Sequence, residues 1–196
     1  MPKIETLVDV IQKVLDSYNK DKKIKDLLLL KKVLYPIDNL ITFEVSCNFV
    51  RWLKKKDLIS KNQAAEMLLD LNNTNTNANG FDIVYNLKNG MPILAEVKGT
   101  IPYLYDKYGS AQKGSIKKDL EYLSGKRIKT KSQSIDIKKY YKFMVMLKSQ
   151  DGDNDEVAMK NLLKGFSDKS KVVILNDSKQ ELSYENVYVV FIELEN

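Results

Sequence analysis

The chain has 196 residues, 43% of them hydrophobic, with 32 Lys and Arg against 26 Asp and Glu. This length and composition suit one well-buried core with an N-terminal elaboration. The chain has no His and one Cys, which excludes Ser-His-Asp triads, nuclease mechanisms with an imidazole base, zinc sites built on His and an internal disulfide. Cys47 lies among apolar residues of a predicted helix and is expected to be a core residue, since no His is present to activate it.

The first 80 residues are predicted to be helical, with a polar loop at their end. Apolar residues at helical spacing predict helices over 4–18, 22–34, 39–56 and 60–71. Pro36 is expected to end the second helix, and Ser60 is a suitable N-cap for the fourth. Residues 72–80 form a low-complexity loop rich in Asn and Thr, which leads directly into Asp82.

Two short apolar segments follow and predict a β-hairpin. Phe81 to Tyr85 and Met91 to Lys98 have strand character, and Lys88-Asn89-Gly90 between them favours a turn. With a three-residue loop and positive φ at Gly90, Asp82 lies opposite Glu96.

The alternation of side chains supports this register. Lys98 then shares a face with Asp82 and Glu96, and the other face is wholly apolar, formed by Phe81, Ile83, Tyr85, Ile93, Ala95 and Val97. A two-residue turn would instead pair Asp82 with Val97 and bury one acid. Two carboxylates and a lysine meeting at one point can bind a divalent metal and carry out phosphodiester chemistry, although acid and base pairs across strands are also common on solvated sheet faces.

The segment after the hairpin is basic. Residues 107–142 hold eleven basic and three acidic residues, so a phosphate backbone is expected to pass here, although such a run can also be a solvated helix face. A helix capped by Ser110 and ended by Gly125 is expected to turn Ile116, Leu120 and Leu123 inward. The residues predicted to contact nucleic acid are Gln112, Lys113, Lys117, Lys118, Tyr103 and Tyr105. Tyr103, Tyr105 and Tyr108 could equally pack the loop onto the sheet.

The remaining elements are predicted to complete an α/β fold. Residues 126–139 read as an exposed loop, and the expected elements after it are strands over 140–147, 171–175 and 187–194 and a helix over 154–164. A hairpin, a crossover helix and a returning strand favour a mixed central sheet flanked by helices. The expected organisation is a helical elaboration over 1–71 packed on a core over 80–196, with one structural domain overall.

Asp82, followed by Glu96-Val97-Lys98, resembles the site of the PD-(D/E)xK nuclease superfamily, which has the restriction-endonuclease-like fold. The match is close over 81–98 and loose over 40–125, and Phe81 stands where the family name has Pro. The resemblance implies a site in which Asp82, Glu96 and the backbone carbonyl of Val97 bind Mg²⁺, with Mn²⁺ as a substitute, and Lys98 handles the attacking water. Glu44, on the helix before the hairpin, is a weaker candidate for the same site.

The expected function is a Mg²⁺-dependent DNA endonuclease of the type II restriction kind, acting as a homodimer. The alternatives are a junction-resolving or repair nuclease, an RNA-cutting defence protein, and a binding module that keeps the fold without catalysis. Because no signal peptide or long apolar run is seen, a cytoplasmic protein without membrane contact is expected.

Overall fold

A computed structural model describes residues 12–13, 15–16, 24–73, 80–86, 91–102, 106–129, 135–149, 154–175 and 181–194. The chain divides into two compact units, residues 1–42 and residues 43–196. In the first unit the described backbone is helical from residue 24 onward, and the Thr42 hydroxyl donates a hydrogen bond to the carbonyl of Asp38 at 2.9 Å. The second unit contains the sheet and the predicted site.

Four helices and five strands make up the described part of the chain. The helices are α1 (Ile24–Lys55), α2 (Lys61–Asn73), α3 (Ser110–Leu123) and α4 (Asp155–Leu163). The strands are β1 (Ile83–Tyr85), β2 (Ile93–Lys98), β3 (Tyr141–Leu147), β4 (Val172–Ile174) and β5 (Val187–Ile192). Within these described ranges, no helix is both long enough and apolar enough to cross a lipid bilayer.

The strands form one mixed sheet in the order β1-β2-β3-β5-β4. β1 is antiparallel to β2, and the other three pairs are parallel. The predicted fold class, a mixed sheet flanked by helices, is therefore confirmed. The predicted strands over 140–147, 171–175 and 187–194 and the helix over 154–164 are present, each within a few residues of its expected bounds.

The register of the hairpin is the predicted one. Ile83 pairs with Ala95 and Tyr85 pairs with Ile93, so the next position outward places Asp82 opposite Glu96. The turn that was expected to produce this register lies in residues 87–90, outside the described residues. The observed strand pairs confirm the register that the alternation of apolar residues predicted, without reference to the turn.

The two faces of the sheet are covered by different helices. Residues 43–55 of α1 pack on one face, where Phe49 contacts Phe143 with ring centroids 5.3 Å apart. Helices α3 and α4 cover the other, on which Leu94 and Met144 form a cluster with Ile116, Leu120, Leu123, Met159 and Leu162. Neighbouring residues of paired strands point to the same side, so Glu96, beside Met144, lies on the α3 side.

Two local expectations about helix ends are wrong. Pro36 does not end a helix but lies inside α1, which continues to Lys55. The ring removes one backbone donor from the ladder, a cost of about 3 kcal/mol, and the helical pattern on both sides of Pro36 outweighs this single loss. At α3 the N-cap is Gly109 rather than Ser110, and the Gly109 N–H donates to the Gln112 side chain at 2.9 Å.

Other local expectations hold. Ser60 and Gln63 form a capping box at the start of α2: the Ser60 N–H donates to Gln63 Oε1 at 2.7 Å, and the Gln63 N–H donates to Ser60 Oγ at 3.3 Å. Gly125 follows the end of α3 with φ of +78°, the left-handed conformation common after a helix. Cys47 is buried, as expected of a core residue.

Candidate functional site

A pair of carboxyl groups lies where β1 begins beside β2. Asp82 is in a bend just before β1, and Gly80, with φ of +83°, lies two residues earlier in the same bend. Asp82 Oδ2 accepts a hydrogen bond from the Val97 N–H at 2.8 Å. Glu96 is only 3% exposed. The hairpin therefore places the two predicted acids opposite each other, with Glu96 buried and Asp82 half-buried.

The two acids cannot both be charged there without a counter-ion. Burial, followed by the charges of Asp82 and Asp119, raises the pKa of Glu96 to about 8. Burial also raises the pKa of Asp82, against the opposing effects of the Val97 N–H, Lys98 and Lys129. Desolvation and like charge both favour the neutral form of a carboxyl group. The pair therefore requires a shared proton or a nearby cation.

Lys98 joins the site through an ion pair with a residue of α3. Its Nζ lies 2.6 Å from Asp119 Oδ2, and the Asp119 residue is only 7% exposed. Burial lowers the pKa of Lys98, but the charge and hydrogen bond of Asp119, together with the charges of Asp82 and Glu96, raise it above its usual value. The structure thus brings Asp82, Glu96 and Lys98 together as predicted, and it adds Asp119.

A second ammonium, that of Lys129, completes the cluster. It forms an ion pair with Glu96 Oε1 and donates to the carbonyl of Gly80. It also lies 4.7 Å from the ring centroid of Phe81 and 5.1 Å from that of Tyr122, within the range of cation–π attraction. A cation is therefore held against Glu96 by a carboxylate, a carbonyl and two aromatic rings.

Phe81 takes part in this cluster because its side chain points to the face of Glu96, opposite to the face that was expected. Strict alternation placed it with Ile83 and Tyr85, whereas it packs with Leu94 and Met144 on the face of Glu96. Residues 81 and 82 form a bend outside β1, where the alternation of a strand no longer applies.

Sequence reasoning missed both Asp119 and Lys129. Asp119 had a signal: it is three residues after Ile116 and one before Leu120, on the stripe of α3 that is buried. An acid on a buried stripe needs a partner, and Lys98 supplies it. Lys129 has no local signal, because it is one of many lysines in a basic segment.

Glu44 is not joined to the pair by any interaction among the described residues. It lies in the part of α1 that covers the opposite face, is half-buried, and its charge contributes to raising the pKa of Cys47. The charged groups that act on Asp82 and Glu96 are Lys98, Lys129, Asp119 and the two acids themselves. Membership of Glu44 in the site stays a prediction, as does the role of the Val97 carbonyl.

The residues predicted to contact nucleic acid lie mainly on α3. Gln112 caps the helix, Lys117 Nζ lies 3.5 Å from the carbonyl of Gly165, and Lys118 Nζ lies 5.8 Å from the Tyr122 ring centroid. Lys113 is half-buried, and Tyr103 and Tyr105 lie outside the described residues. Tyr108 is buried in the core cluster, which favours a packing role for it.

The donor set suits a hard divalent cation. Mg²⁺ prefers oxygen ligands, keeps several waters and needs only one or two protein carboxylates, which Asp82 and Glu96 can supply. Their pairing already requires a cation or a proton, and one ammonium lies against Glu96. Among the described residues, no group of three or more His, Cys, Asp or Glu side chains is arranged to hold a metal ion. An ion bound to Asp82 and Glu96 would therefore have to complete its coordination with water.

Comparison with known proteins gives no relative from which a function could be carried over. No protein-family model, no curated protein and no solved structure matches the chain. The functional conclusions below therefore depend on the residues and geometry of the site itself.

Proposed function

We propose that this protein is a Mg²⁺-dependent DNA endonuclease of the PD-(D/E)xK type. The observation that carries the proposal is the convergence of Asp82, Glu96 and Lys98 at the start of the hairpin, in the register that the sequence pattern requires. Burial of these charges makes the cluster expensive for stability. A chemical role accounts for its presence better than a structural role does.

Each residue has a task that follows from its surroundings. Asp82 and Glu96, with the carbonyl of Val97, would hold Mg²⁺ or, as a substitute, Mn²⁺. A bound Mg²⁺ supplies an acidified water and positive charge beside the scissile phosphate. The Val97 N–H fixes the orientation of Asp82 through its 2.8 Å hydrogen bond. Lys98 would orient the attacking water and offset charge on the phosphate.

The ion pair with Asp119 makes Lys98 a donor rather than a base. An ammonium 2.6 Å from a carboxylate oxygen is held in its protonated form, so it donates hydrogen bonds and does not accept a proton. Asp119 touches neither metal nor phosphate in this scheme. It is a positioning residue that keeps Lys98 charged and aimed along the face of Glu96.

DNA is the substrate class that the local charge favours. The eleven basic residues of 107–142 include Lys129, which lies within the site. A restriction-type enzyme, in which each of two subunits cuts one strand, is the first form of the proposal. A junction-resolving or repair nuclease, or an RNA-cutting defence protein, would use the same groups on a different substrate.

One observation favours a non-catalytic binding module as the second candidate. Lys98 and Lys129 already neutralise Asp119 and Glu96, so much of the cluster's charge is balanced without a metal. A module that binds DNA through basic residues and never cuts it would be compatible with this balance.

Plasmid cleavage separates the two candidates. The purified protein is incubated with supercoiled plasmid and with branched, single-stranded and RNA substrates, in Mg²⁺, Mn²⁺ or EDTA. Cleavage in the metal-containing reactions alone is expected. The Asp82→Asn variant, which keeps an oxygen ligand but loses the charge that Mg²⁺ prefers, should be inactive.

The matched control is Glu156→Gln, which alters an exposed acid of α4 that pairs with Lys160 at 3.2 Å. This variant should cut like the wild type. Absence of cleavage on every substrate, with DNA binding retained, would favour the binding module. Cleavage that survives in both EDTA and Asp82→Asn would exclude the proposed site.

A further inference from the structure

A cleft of about 700 Å³ opens beside the carboxyl pair. It lies between the segment that follows α3 and the amino ends of β3, β4 and β5, and its lining includes Lys142, Lys171 and Tyr184. Phe81 and Lys129, which surround Glu96, also line it. The cleft therefore adjoins the candidate site through these two residues, and it is separate from the outer surface of α3 on which the sequence placed DNA contacts.

The lining of this cleft carries an excess of positive charge. Five basic side chains and two acidic ones face it. Arg127 and Lys129 lie against Glu121 and Glu96, whereas within the described ranges neither Lys142 nor Lys171 forms an ion pair with an acid. Lys138, also in the lining, likewise forms no ion pair among the described residues, so these three lysines supply the unpaired positive charge of the cleft.

Lys142 is the unusual one of these three lysines. It is only 4% exposed, and its Nζ donates to the carbonyl of Tyr184. Burial and the charge of Lys171 lower its pKa, while the charge of Glu185 opposes them. A buried ammonium near a second ammonium is stabilised by an anion.

The same cleft has exposed aromatic and aliphatic side chains in its lining. Tyr184 is 42% exposed and packs against Tyr141 with ring centroids 4.1 Å apart and ring planes tilted by 33°, which restricts the motion of its ring. Ile128, also in the lining, is 76% exposed. Rigid aromatic faces beside lysines are the usual combination for holding the bases and phosphates of a nucleic-acid strand.

We propose that this cleft binds one strand of nucleic acid, with a phosphodiester group at Lys142 and Lys171 and a base against Tyr184. The inference rests on the proposed function and deepens it, because the shared residues Phe81 and Lys129 lead from the cleft to the carboxyl pair. A strand held in the cleft would reach the site through these residues. Charge complementarity and the exposed ring together favour a strand over a small anion.

Binding is measured by fluorescence anisotropy with a labelled single-stranded DNA of about 12 nucleotides, in EDTA so that no cleavage occurs. Lys171→Ala, an exposed position, should weaken binding by about threefold to tenfold and reduce the slope of log K against log salt by about 0.7. Tyr184→Ala should weaken binding about tenfold without changing the slope. Tyr184→Phe, which keeps the ring, should bind like the wild type.

Lys160→Ala is the control, since Lys160 is an exposed lysine of α4 outside the cleft. It should leave affinity and salt slope unchanged. An unchanged slope and affinity in Lys171→Ala would overturn the proposal, as would equal losses in Lys171→Ala and Lys160→Ala. Binding of inorganic pyrophosphate but not of the oligonucleotide would show a small-anion site instead.

Plasmid cleavage in Mg²⁺ distinguishes a failure of the cleft proposal from a failure of the nuclease proposal. If the wild type cuts DNA while Lys171→Ala binds it normally, the cleft assignment is wrong and the nuclease proposal stands. If no substrate is cut but Lys171→Ala binds weakly with a reduced slope, the cleft assignment stands and the nuclease proposal fails.

Discussion

Both faces of the central sheet are buried, but their buried side chains differ in charge. The face under α1 is closed by aromatic contacts, with Phe143 5.3 Å from Phe49 and 5.9 Å from Tyr188 between ring centroids. On the other face, Glu96 and Lys142 of the sheet and Asp119 of α3 are buried, and each is at most 7% exposed. One face can be explained by packing alone, whereas the other includes charges that packing does not need.

This difference separates stability from function. Apolar burial stabilises a fold at about 25 cal/mol per Å². Buried ion pairs often contribute nothing net, because desolvation offsets their attraction. Substitutions of apolar side chains on either face should therefore lower the free energy of unfolding, whereas substitutions of the charged side chains on the α3 face should also change the chemistry of the site.

The largest effect is expected at Lys98. Lys98→Ala keeps both carboxylates, so it should bind Mg²⁺ and DNA while cleavage falls by about two to four orders of magnitude, the range for loss of a transition-state hydrogen-bond donor or of a general acid. Asp82→Ala should lose metal affinity and cleavage together. Calorimetry with Mn²⁺ and single-turnover cleavage measure the two properties.

Lys160→Ala serves as the matched lysine control and should cut at the wild-type rate. Equal cleavage by the wild type and Lys98→Ala would remove Lys98 from the site. Loss of metal binding in Lys98→Ala would mean that the lysine supports the carboxyl pair instead of the chemistry.

The next largest effect is expected on the opposite face. Phe143→Ala should lower the free energy of unfolding by about 3 to 5 kcal/mol, because it leaves a cavity among the rings of Phe49, Trp52 and Tyr188. Urea denaturation measures the change, with Val157→Ala, at a position 44% exposed, as the control of similar chemistry. Metal binding by the folded fraction should be unaltered. A loss below about 1 kcal/mol would contradict the assignment of this face to stability.

A smaller effect is expected from Glu96 in the metal-free protein, where it should make the free energy of unfolding decrease as the pH rises. Its pKa of about 8 in the fold lies above the ordinary 4.5, so between these values the folded state keeps a proton that the unfolded chain has lost. Stability should therefore be full below pH 4.5 and fall as the pH rises to about 8. The slope from this one proton is at most about 1.4 kcal/mol per pH unit.

Glu96→Gln should remove that slope, and unfolding in EDTA across the pH window measures it. Glu156→Gln, which changes an exposed acid, should keep the wild-type slope. If Glu96→Gln unfolds with the same pH dependence as the wild type, the raised pKa of Glu96 is not the source of that dependence.

The smallest effect is expected from the lysines of α3. Replacing Lys113, Lys117 and Lys118 with Ala should flatten the salt dependence of DNA binding if a phosphate backbone follows this helix. The loss should be similar for specific and non-specific DNA. An unchanged slope would show a solvated helix face, and the cleft with Lys171 would then be the main electrostatic contact.

Much of the fold was predictable because its signals are local. The apolar runs of β3 and β5 and the period-two pattern of the hairpin fix strands and register without long-range information. The expectation that Pro36 ends a helix is wrong because the helical pattern on both sides of this residue outweighs the local preference of proline. The choice of Gly109 over Ser110 as a cap follows from which backbone donor reaches Gln112, a distance that sequence does not show.

The site was predictable only where one hairpin supplies it. Asp82, Glu96 and Lys98 are close in sequence, and alternation decides their faces. Asp119 and Lys129 come from another helix and the loop after it, so their positions depend on how α3 packs on the sheet. An acid on the buried stripe of α3 was a usable sign, whereas the position of Lys129 requires the assembled tertiary structure.

The contact of Lys129 with Glu96 and Gly80 also bears on the order in which the protein becomes competent. It joins segments 33 and 49 residues apart, so it can form only after α3 has docked on the hairpin. A growing chain that has not yet reached residue 129 holds two neighbouring carboxyl groups without this cation. Closing the chain between these segments costs entropy before the contact can offset it. Chemistry at this site is therefore a property of the finished fold, and partly folded chains would lack it.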